Sequence, residues 1–471
     1  MRLADLARIE SDSQVTGFAI DHRKVAPGTV FGAFKGSRFN GEDFIADAVA
    51  SGAVAVVAAP EVAVHGAVHI AADEPRRAFA QLAARFFKPF PPVVVAVTGT
   101  NGKTSNVELT RQLWRMAGHH AASIGTLGVT TADDQASTGL TTPDIVTFLS
   151  NMGGLAREGV THAAFEASSH GLAQYRTEGL PVQAAAFTNF SRDHLDYHGT
   201  MDAYFEAKMR LFSEVVSPDG AAVIWMDDPK SEEVARRCRD RGLRLLTVGT
   251  KGETLKLAGR SPTQLGQRLT IVIDGLERSV MIPLIGAYQA ANALTAAALV
   301  IATGGDRDRT LADLARLQPV RGRLERAVIT RAGAPLYVDY AHTPDALRSA
   351  IEALKPHAKG RLILVFGAGG DRDTGKRPEM GEIAARMADL AIVTDDNPRS
   401  EDPAAIRSAI LAGAPGAREV AGRREAIAAA IAEAGAEDII LVAGKGHEQG
   451  QIIGDRILPF DDVGVARECA A

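Results

Sequence analysis

Cysteine is nearly absent from this chain: Cys238 and Cys469 are the two in 471 residues. Their separation offers neither a disulfide framework nor metal-ligand spacing, and a reducing cytoplasm fits. No uncharged apolar run reaches the roughly 20 residues a membrane span needs, so no membrane insertion is expected. No long basic cluster occurs, and with 52 Lys and Arg against 57 Asp and Glu the net charge is −5. That balance excludes a broad nucleic-acid surface. Residues 1–10, Met-Arg-Leu-Ala-Asp-Leu-Ala-Arg-Ile-Glu, carry acids and lack an apolar core, so no signal peptide is expected. There is no internal repeat, and the Ala-rich tract 426–436 is an ordinary helix pattern.

What is present is an ordinary globular composition in a chain too long for one core; about three domains are expected. Residues 1–88 alternate short apolar runs, as at 29–34 and 53–58, with turns. Phe86-Phe-Lys-Pro-Phe-Pro-Pro92 places three prolines in four positions, which forbids a helix there and makes a semi-rigid linker. From 89 to 317, apolar strands are predicted at 162–166, 184–190 and 221–226. A hairpin over 269–273 and 279–285 is closed by Asp274-Gly275, and a helix covers 292–302. From 318 to 471, strands (336–340, 362–366, 390–394, 439–443) alternate with helices (344–354, 376–388, 403–411, 424–434). The whole reads as α/β in three domains, with a P-loop-like central block and a doubly wound, Rossmann-like C-terminal block.

The most informative segment is Val97-Thr-Gly-Thr-Asn-Gly-Lys-Thr-Ser105, directly after the apolar run 93–96. Strand, glycine turn, Lys-Thr and then a helix over 104–116 ending at Gly118 is the chemistry of a triphosphate cradle. Gly99 and Gly102 let backbone N–H groups face phosphate. Lys103 supplies a cation, and the Thr104 hydroxyl can hold Mg²⁺. The turn is shorter than a standard P-loop, because Val97 stands where that pattern has its first glycine.

Other residues admit two readings each. Glu166, at a strand end and followed by Ala-Ser-Ser-His170, can hold Mg²⁺ or be a solvated loop acid. His194, between Asp193 and Asp196, can serve a metal or be structural. Lys208, in a helical stretch, reads alone as a solvated lysine. Its neutral amine can also add CO₂, giving an anionic carbamate that reaches a metal where no Asp would. Asp339 can hold ribose hydroxyls or a phosphate-bound water, and Asn292, opening a helix, can contact adenine; either can equally be a cap. The C-terminal strand ends are Asp339-Tyr-Ala-His342, Gly367-Ala-Gly-Gly-Asp-Arg372, Asp395-Asp-Asn-Pro-Arg399 and Gly444-Lys-Gly-His-Glu448. Four such loops at one sheet face look like half of an active site. Arg372 and Arg399 suit carboxylates, and Glu448 suits an ammonium.

These motifs together resemble the Mur ligases of bacterial cell-wall synthesis, most closely their diaminopimelate-adding branch. The resemblance spans the chain. It rests on Gly99-Thr-Asn-Gly-Lys-Thr-Ser105, Thr141-Thr-Pro-Asp144, Glu166-Ala-Ser-Ser-His170, Asp193-His-Leu-Asp-Tyr-His-Gly199 and Lys208 in the central block. Further on it rests on Asn292-Ala-Leu-Thr-Ala296, Arg321-Gly-Arg-Leu-Glu325, Asp339-Tyr-Ala-His342, Asp396-Asn-Pro-Arg399 and Gly444-Lys-Gly-His-Glu448.

The resemblance implies a UDP-substrate domain (1–88), an ATP domain (89–317) and an amino-acid domain (318–471). It implies ATP with two Mg²⁺ ions as cofactors. Lys103, Glu166, His194 and Lys208, the last as N6-carboxylysine, would be catalytic, and Thr104, Glu166, His194 and Lys208 would hold metal. ATP would lie on Gly99, Thr100, Asn101, Gly102, Lys103, Thr104, Ser105, Asn292, Arg323, Asp339 and His342. UDP-N-acetylmuramoyl-L-alanyl-D-glutamate would lie on Ile20, His22, Thr141, Thr142, Ser168, Gln174 and Arg176. Meso-diaminopimelate would lie on Arg372, Asp396, Asn397, Pro398, Arg399, Gly444 and Glu448. A monomer is expected. One departure is visible: the family's usual Asp-Ser-Arg near the uridine reads Asp21-His-Arg23 here. The alternatives are an L-lysine-adding Mur ligase, a folylpolyglutamate synthase-like ligase, or a nucleotide-hydrolysing switch module.

Overall fold

The computed structural model describes residues 1–36, 39–132, 134–136, 139–263, 266–371 and 373–471. The chain divides into two compact units: Met1–Lys256 with Leu294–Thr310, and Leu257–Ala293 with Leu311–Ala471.

The first unit begins with a parallel four-stranded sheet of Gly17–Ala19, Thr29–Gly32, Ala53–Ala58 and Val68–Ala71, in that order. Helix Pro75–Phe87 covers it, with Pro at its start, where no N–H is needed. Its buried face carries Phe79, Ala80, Leu82, Ala83 and Ala84, and Phe79 meets the rings of Phe18 and Phe34 edge-on. The helix runs through Phe86 and Phe87, which the sequence placed in the linker. It stops at Lys88 because a residue before proline is driven out of the helical region.

The same unit holds a larger sheet. Six parallel strands lie in the order Arg244–Gly249, Val216–Trp225, Val182–Phe187, Val93–Thr98, His162–Glu166 and Ala121–Gly125. Gly128–Thr130 and Gln135–Ala136 extend it antiparallel. The register aligns Val97 with Glu166 and Thr98 with Phe187. The turn after Thr98, the loop after Glu166 and the loop after Phe187 therefore leave the sheet side by side, at the carboxyl end where ligands bind in such sheets. Helix Lys103–Met116 follows the turn and ends before Gly118, whose φ of 94° is left-handed.

In the second unit Gly266–Ile273 pairs antiparallel with Leu276–Ile282, closed by Asp274 (φ 51°) and Gly275 (φ 76°), as a two-residue hairpin turn requires. Helix Ala287–Ala302, of which the stretch up to Ala293 belongs to this unit and the rest to the first, starts earlier than the sequence suggested: Asn292 lies inside it rather than opening it. The helix begins after Gly286 (φ 96°) without a Ser, Thr, Asp or Asn cap, so the usual starting signal is missing.

The C-terminal sheet has the order Glu325–Ile329, Pro335–Asp339, Ile439–Ala443, Leu362–Phe366, Leu390–Val393 and Arg418–Glu419, parallel except for the first edge strand. Leu362, Leu364 and Phe366 pack with Leu347, Ile351, Ile383 and Ile410 on one face. Ile363 and Val365 pack with Ala426, Ile427, Ala430 and Val463 on the other. Burial on both faces is what makes these strands continuous apolar runs and the sheet doubly wound. Among the described residues no helix is long and apolar enough to cross a membrane.

Candidate active site

In the first unit the glycine turn is held in shape by the neighbouring strand end. Gly99 has φ 146°, and a Cβ there would run into the Thr188 hydroxyl. Thr100 N–H donates to the Asn189 carbonyl (2.9 Å), Asn101 N–H to Asn189 Oδ1 (2.8 Å), and the Thr188 hydroxyl to the Asn101 carbonyl (2.7 Å). Lys103 folds back across the turn, its Nζ donating to the carbonyls of Gly99 (3.0 Å) and Thr100 (2.8 Å). Gly102 (φ 86°) caps the helix, and Thr104 and Ser105 are buried in its first turn.

Lys208 comes from helix Met201–Arg210, yet its Nζ donates to the same Gly99 carbonyl at 2.8 Å. The side chain is 1% exposed and lies over the Tyr204 ring at 4.3 Å. It is no solvated lysine. Burial, then the nearby Lys103 charge, hold its amine well below the usual ammonium range, against the pull of Asp193. Tyr204, 3.3 Å from the Thr100 hydroxyl, ties the same helix to the turn.

Glu166 is 2% exposed. Oε1 accepts the Thr126 N–H (2.7 Å) and Oε2 its hydroxyl (3.3 Å). His194 is left-handed (φ 52°), with its N–H on Asp193 Oδ1 (2.9 Å) and its ring 4.7 Å from that of His170. Burial lowers its pKa, and the charges of Lys103 and Lys208 lower it further, while Asp193 opposes them.

Five of the seven residues expected on the muramoyl dipeptide, Thr141, Thr142, Ser168, Gln174 and Arg176, form one connected group beside Glu166. Thr126 and Thr141 share a hydroxyl contact of 3.0 Å. The Thr142 hydroxyl donates to the Glu166 carbonyl (2.7 Å) and lies 2.9 Å from Ser168 Oγ. Arg176 donates to the Thr142 carbonyl (2.7 Å) and to Gln174 Oε1, and Gln174 donates to the Tyr197 hydroxyl (3.0 Å). Ile20 and His22 follow the strand Gly17–Ala19, and the His22 ring stacks on Phe44 at 4.3 Å. The unusual histidine thus has an aromatic partner, and Asp21 still pairs with Arg23.

In the second unit Asp339 accepts the N–H groups of Leu324 (2.7 Å) and Ala341 (2.9 Å). Burial raises its carboxyl to about 6, opposed by the Arg323 charge, those two N–H groups and the Tyr288 hydroxyl. Asn292 donates to Gln289 Oε1 (3.3 Å), and Gln289 Nε2 donates in turn to the Arg323 carbonyl (3.0 Å), so Asn292 and Arg323 are tied, and the Arg323 charge acts on Asp339. His342 Nδ1 lies 2.8 Å from the Tyr340 carbonyl, and the Arg323 guanidinium lies over the Tyr340 ring at 4.7 Å.

The four predicted loops do follow adjacent parallel strands at one end of their sheet, and they are cross-tied. Gly444 N–H donates to the Asp339 carbonyl (3.1 Å) and Gly370 N–H to the Asn397 carbonyl (2.9 Å). Asn397 Nδ2 donates to Glu448 Oε2 (2.7 Å), and Arg399 Nη1 donates to the Gly370 carbonyl (2.7 Å). Pro398 is buried. Arg372 lies outside the described residues. Sequence reasoning missed Thr126, Tyr204, Gln289 and Tyr288, which hold the expected residues. None carries a motif, and each acts through a contact distant in the chain.

A phosphate-type turn and amino-acid-type loops in one chain are what an ATP-dependent, amide-forming ligase requires. Three family models match: "Mur ligase family, catalytic domain" at residues 14–87, "Mur ligase middle domain" at 97–300 and "Mur ligase, glutamate ligase domain" at 322–446. A UDP-N-acetylmuramoyl-L-alanyl-D-glutamate–2,6-diaminopimelate ligase of Zymomonas mobilis is 62% identical over 98% of this chain and 95% of its own. The solved structure of a ligase of that same name is 33% identical, covers 100% of this chain and 98% of that one, and superposes with TM-score 0.75. A folylpolyglutamate synthase of Mycobacterium tuberculosis shares the fold at TM-score 0.64 and 22% identity, over 79% of this chain and 91% of its own. The chain belongs to the Mur ligase family, and it is an ATP-dependent acid–amino-acid ligase.

Proposed function

We propose that the chain joins meso-2,6-diaminopimelate to UDP-N-acetylmuramoyl-L-alanyl-D-glutamate at the expense of ATP, in peptidoglycan precursor synthesis. The observation that carries the chemistry is the convergence of two lysines from distant elements, Lys103 and Lys208, on the Gly99 carbonyl. Diaminopimelate is the amino acid named for the Zymomonas relative, and the tied Asp396-Asn-Pro-Arg399 and Gly444–Glu448 loops supply acid, amide and guanidinium groups for it.

In this reading a substrate carboxylate attacks the γ-phosphoryl of ATP in line, ADP leaves, and an acyl phosphate forms. The amine of diaminopimelate then attacks the acyl carbon, a tetrahedral intermediate loses phosphate, and the ammonium proton is given up. Lys103 offsets charge developing on the phosphoryl oxygens. Gly99 to Ser105 cradle the phosphates, while Asn292, Arg323, Asp339 and His342 take the rest of the nucleotide. Ile20, His22, Thr141, Thr142, Ser168, Gln174 and Arg176 orient the UDP substrate. Arg372, Asp396, Asn397, Pro398, Arg399, Gly444 and Glu448 take the amino acid.

Two Mg²⁺ ions would be held by Thr104, Glu166, His194 and Lys208, where they neutralise phosphate charge. Lys208 fits this role. An amine buried and held off its charged form is the species that adds CO₂, and the carbamate supplies the oxygen ligands magnesium prefers. The boundaries 1–88, 89–317 and 318–471 are proposed for the three functional segments, each containing one of the matched family models. A cytoplasmic monomer completes the reading.

The test is direct. Purified protein receives the UDP-dipeptide, ATP and either diaminopimelate or L-lysine, and ADP release is followed. Release that requires diaminopimelate is expected. Release with L-lysine alone, or indifferent to the amino acid, overturns the assignment.

A further inference from the structure

Lys445 is a charged side chain with 0% exposure. Its Nζ donates to Asn397 Oδ1 (2.9 Å) and Glu448 Oε2 (3.2 Å), and lies 3.8 Å from Asp396 Oδ1. Burying an ammonium is costly unless its partners are placed for it. Here those partners are three residues assigned to the amino-acid pocket, on two different loops.

The consequence for Asn397 is specific. Its Oδ1 receives two donors, Lys445 Nζ and the Ile452 N–H (2.9 Å), which fixes the amide against rotation. Nδ2 is thereby set on the Glu448 side, where it donates to Oε2 at 2.7 Å. Oε2 takes both donors, and Glu448 Oε1 has no partner seen among the described residues. A fixed amide donor beside a carboxylate oxygen complements the carboxylate and ammonium of an α-amino acid.

We propose that Lys445 is a positioning residue for the amino-acid pocket: it locks the Asn397 amide and the Glu448 carboxylate into a donor–acceptor pair that reads the zwitterionic end of diaminopimelate. This rests on the amino-acid site proposed above. Without Lys445, the amide keeps only the Ile452 N–H and is free to turn its oxygen toward Glu448, where two acceptors would face each other. A lysine that served only to fill the core would leave substrate preference untouched.

The test compares Lys445→Met and Asn397→Asp with the unaltered enzyme, varying diaminopimelate, ATP and the UDP-dipeptide in turn. L-2-aminopimelate, which lacks one of the two amines, is the competing amino acid. Lys445→Met removes both bonds that hold the pair, and the loss of one charged hydrogen bond to the substrate that follows predicts a KM for diaminopimelate raised at least about tenfold. KM for ATP and the UDP-dipeptide should stay within about twofold, and preference over 2-aminopimelate should narrow. Asn397→Asp keeps an acceptor for Lys445, so it should stay folded while losing diaminopimelate to a similar degree. A Lys445→Met enzyme whose three KM values are unchanged, or rise together, overturns the proposal. Should Lys445→Met fail to fold, Asn397→Asp decides alone, and an unchanged KM for diaminopimelate refutes it. If the unaltered enzyme releases no ADP with diaminopimelate, the functional assignment itself has failed.

Discussion

The ion pair between Arg423 and Asp462 offers the sharpest energetic test of how the C-terminal loops are anchored. Both side chains are 0% exposed. Arg423 grips Asp462 at two points (Nε to Oδ1 2.7 Å, Nη2 to Oδ2 2.7 Å). It also donates to the carbonyls of Ala443 (3.0 Å) and Asp395 (3.3 Å), the residues from which two of the strand-end loops depart. Replacing Arg423 by Met removes four bonds and strands a buried carboxylate. Breaking a buried pair from one side costs about 3–5 kcal/mol. Asp462→Leu alone should cost a similar amount for the opposite charge. The double replacement leaves no unpaired charge and loses mainly the two carbonyl contacts, about 1–3 kcal/mol each. The double variant should therefore be destabilised by clearly less than the sum of the singles, with a coupling of at least about 2 kcal/mol. Urea unfolding followed by far-UV circular dichroism gives the numbers. The fluorescence of Trp114 and Trp225, both in the first unit, gives a separate comparison. A single replacement costing under about 1 kcal/mol, or strict additivity, refutes the reasoning.

Three further outcomes are expected. Lys208→Ala should abolish ligation while circular dichroism remains that of the folded protein, with partial recovery on adding short carboxylates; undiminished turnover ends the carbamate role. Arg399→Ala should raise KM for diaminopimelate far more than KM for ATP, and equal effects would make Arg399 a structural residue. The Asp339 carboxyl, raised to about 6 when folded, favours the folded state while protonated. That contribution is full below about pH 4 and is lost as pH rises through about 6, amounting to about 3 kcal/mol. Stability measured from pH 4 to 7 in Asp339→Leu, relative to the unaltered protein, should lack this fall; parallel profiles would contradict it.

Local signals were readable from the chain itself. Gly99, Gly102 and Lys103 are consecutive enough for their chemistry to be visible, and the apolar strands of the C-terminal sheet announce burial on both faces. Long-range events were not. Lys208 looked solvated because its helix is polar on paper, yet the carbonyl that receives it lies 109 residues away. Arg423 and Asp462 are 39 residues apart and carry no motif. The early start of Ala287–Ala302 escaped because a glycine turn, rather than a capping side chain, begins it.

Every residue of Leu362–Phe366 and of Ile439–Ala443 is enclosed. A slip of one position in either strand would exchange the contents of the two hydrophobic layers. Such a scaffold tolerates little drift, so under the proposed function a change of amino-acid choice would have to fall in the strand-end loops 367–372, 395–399 and 444–448, with both layers kept as they are.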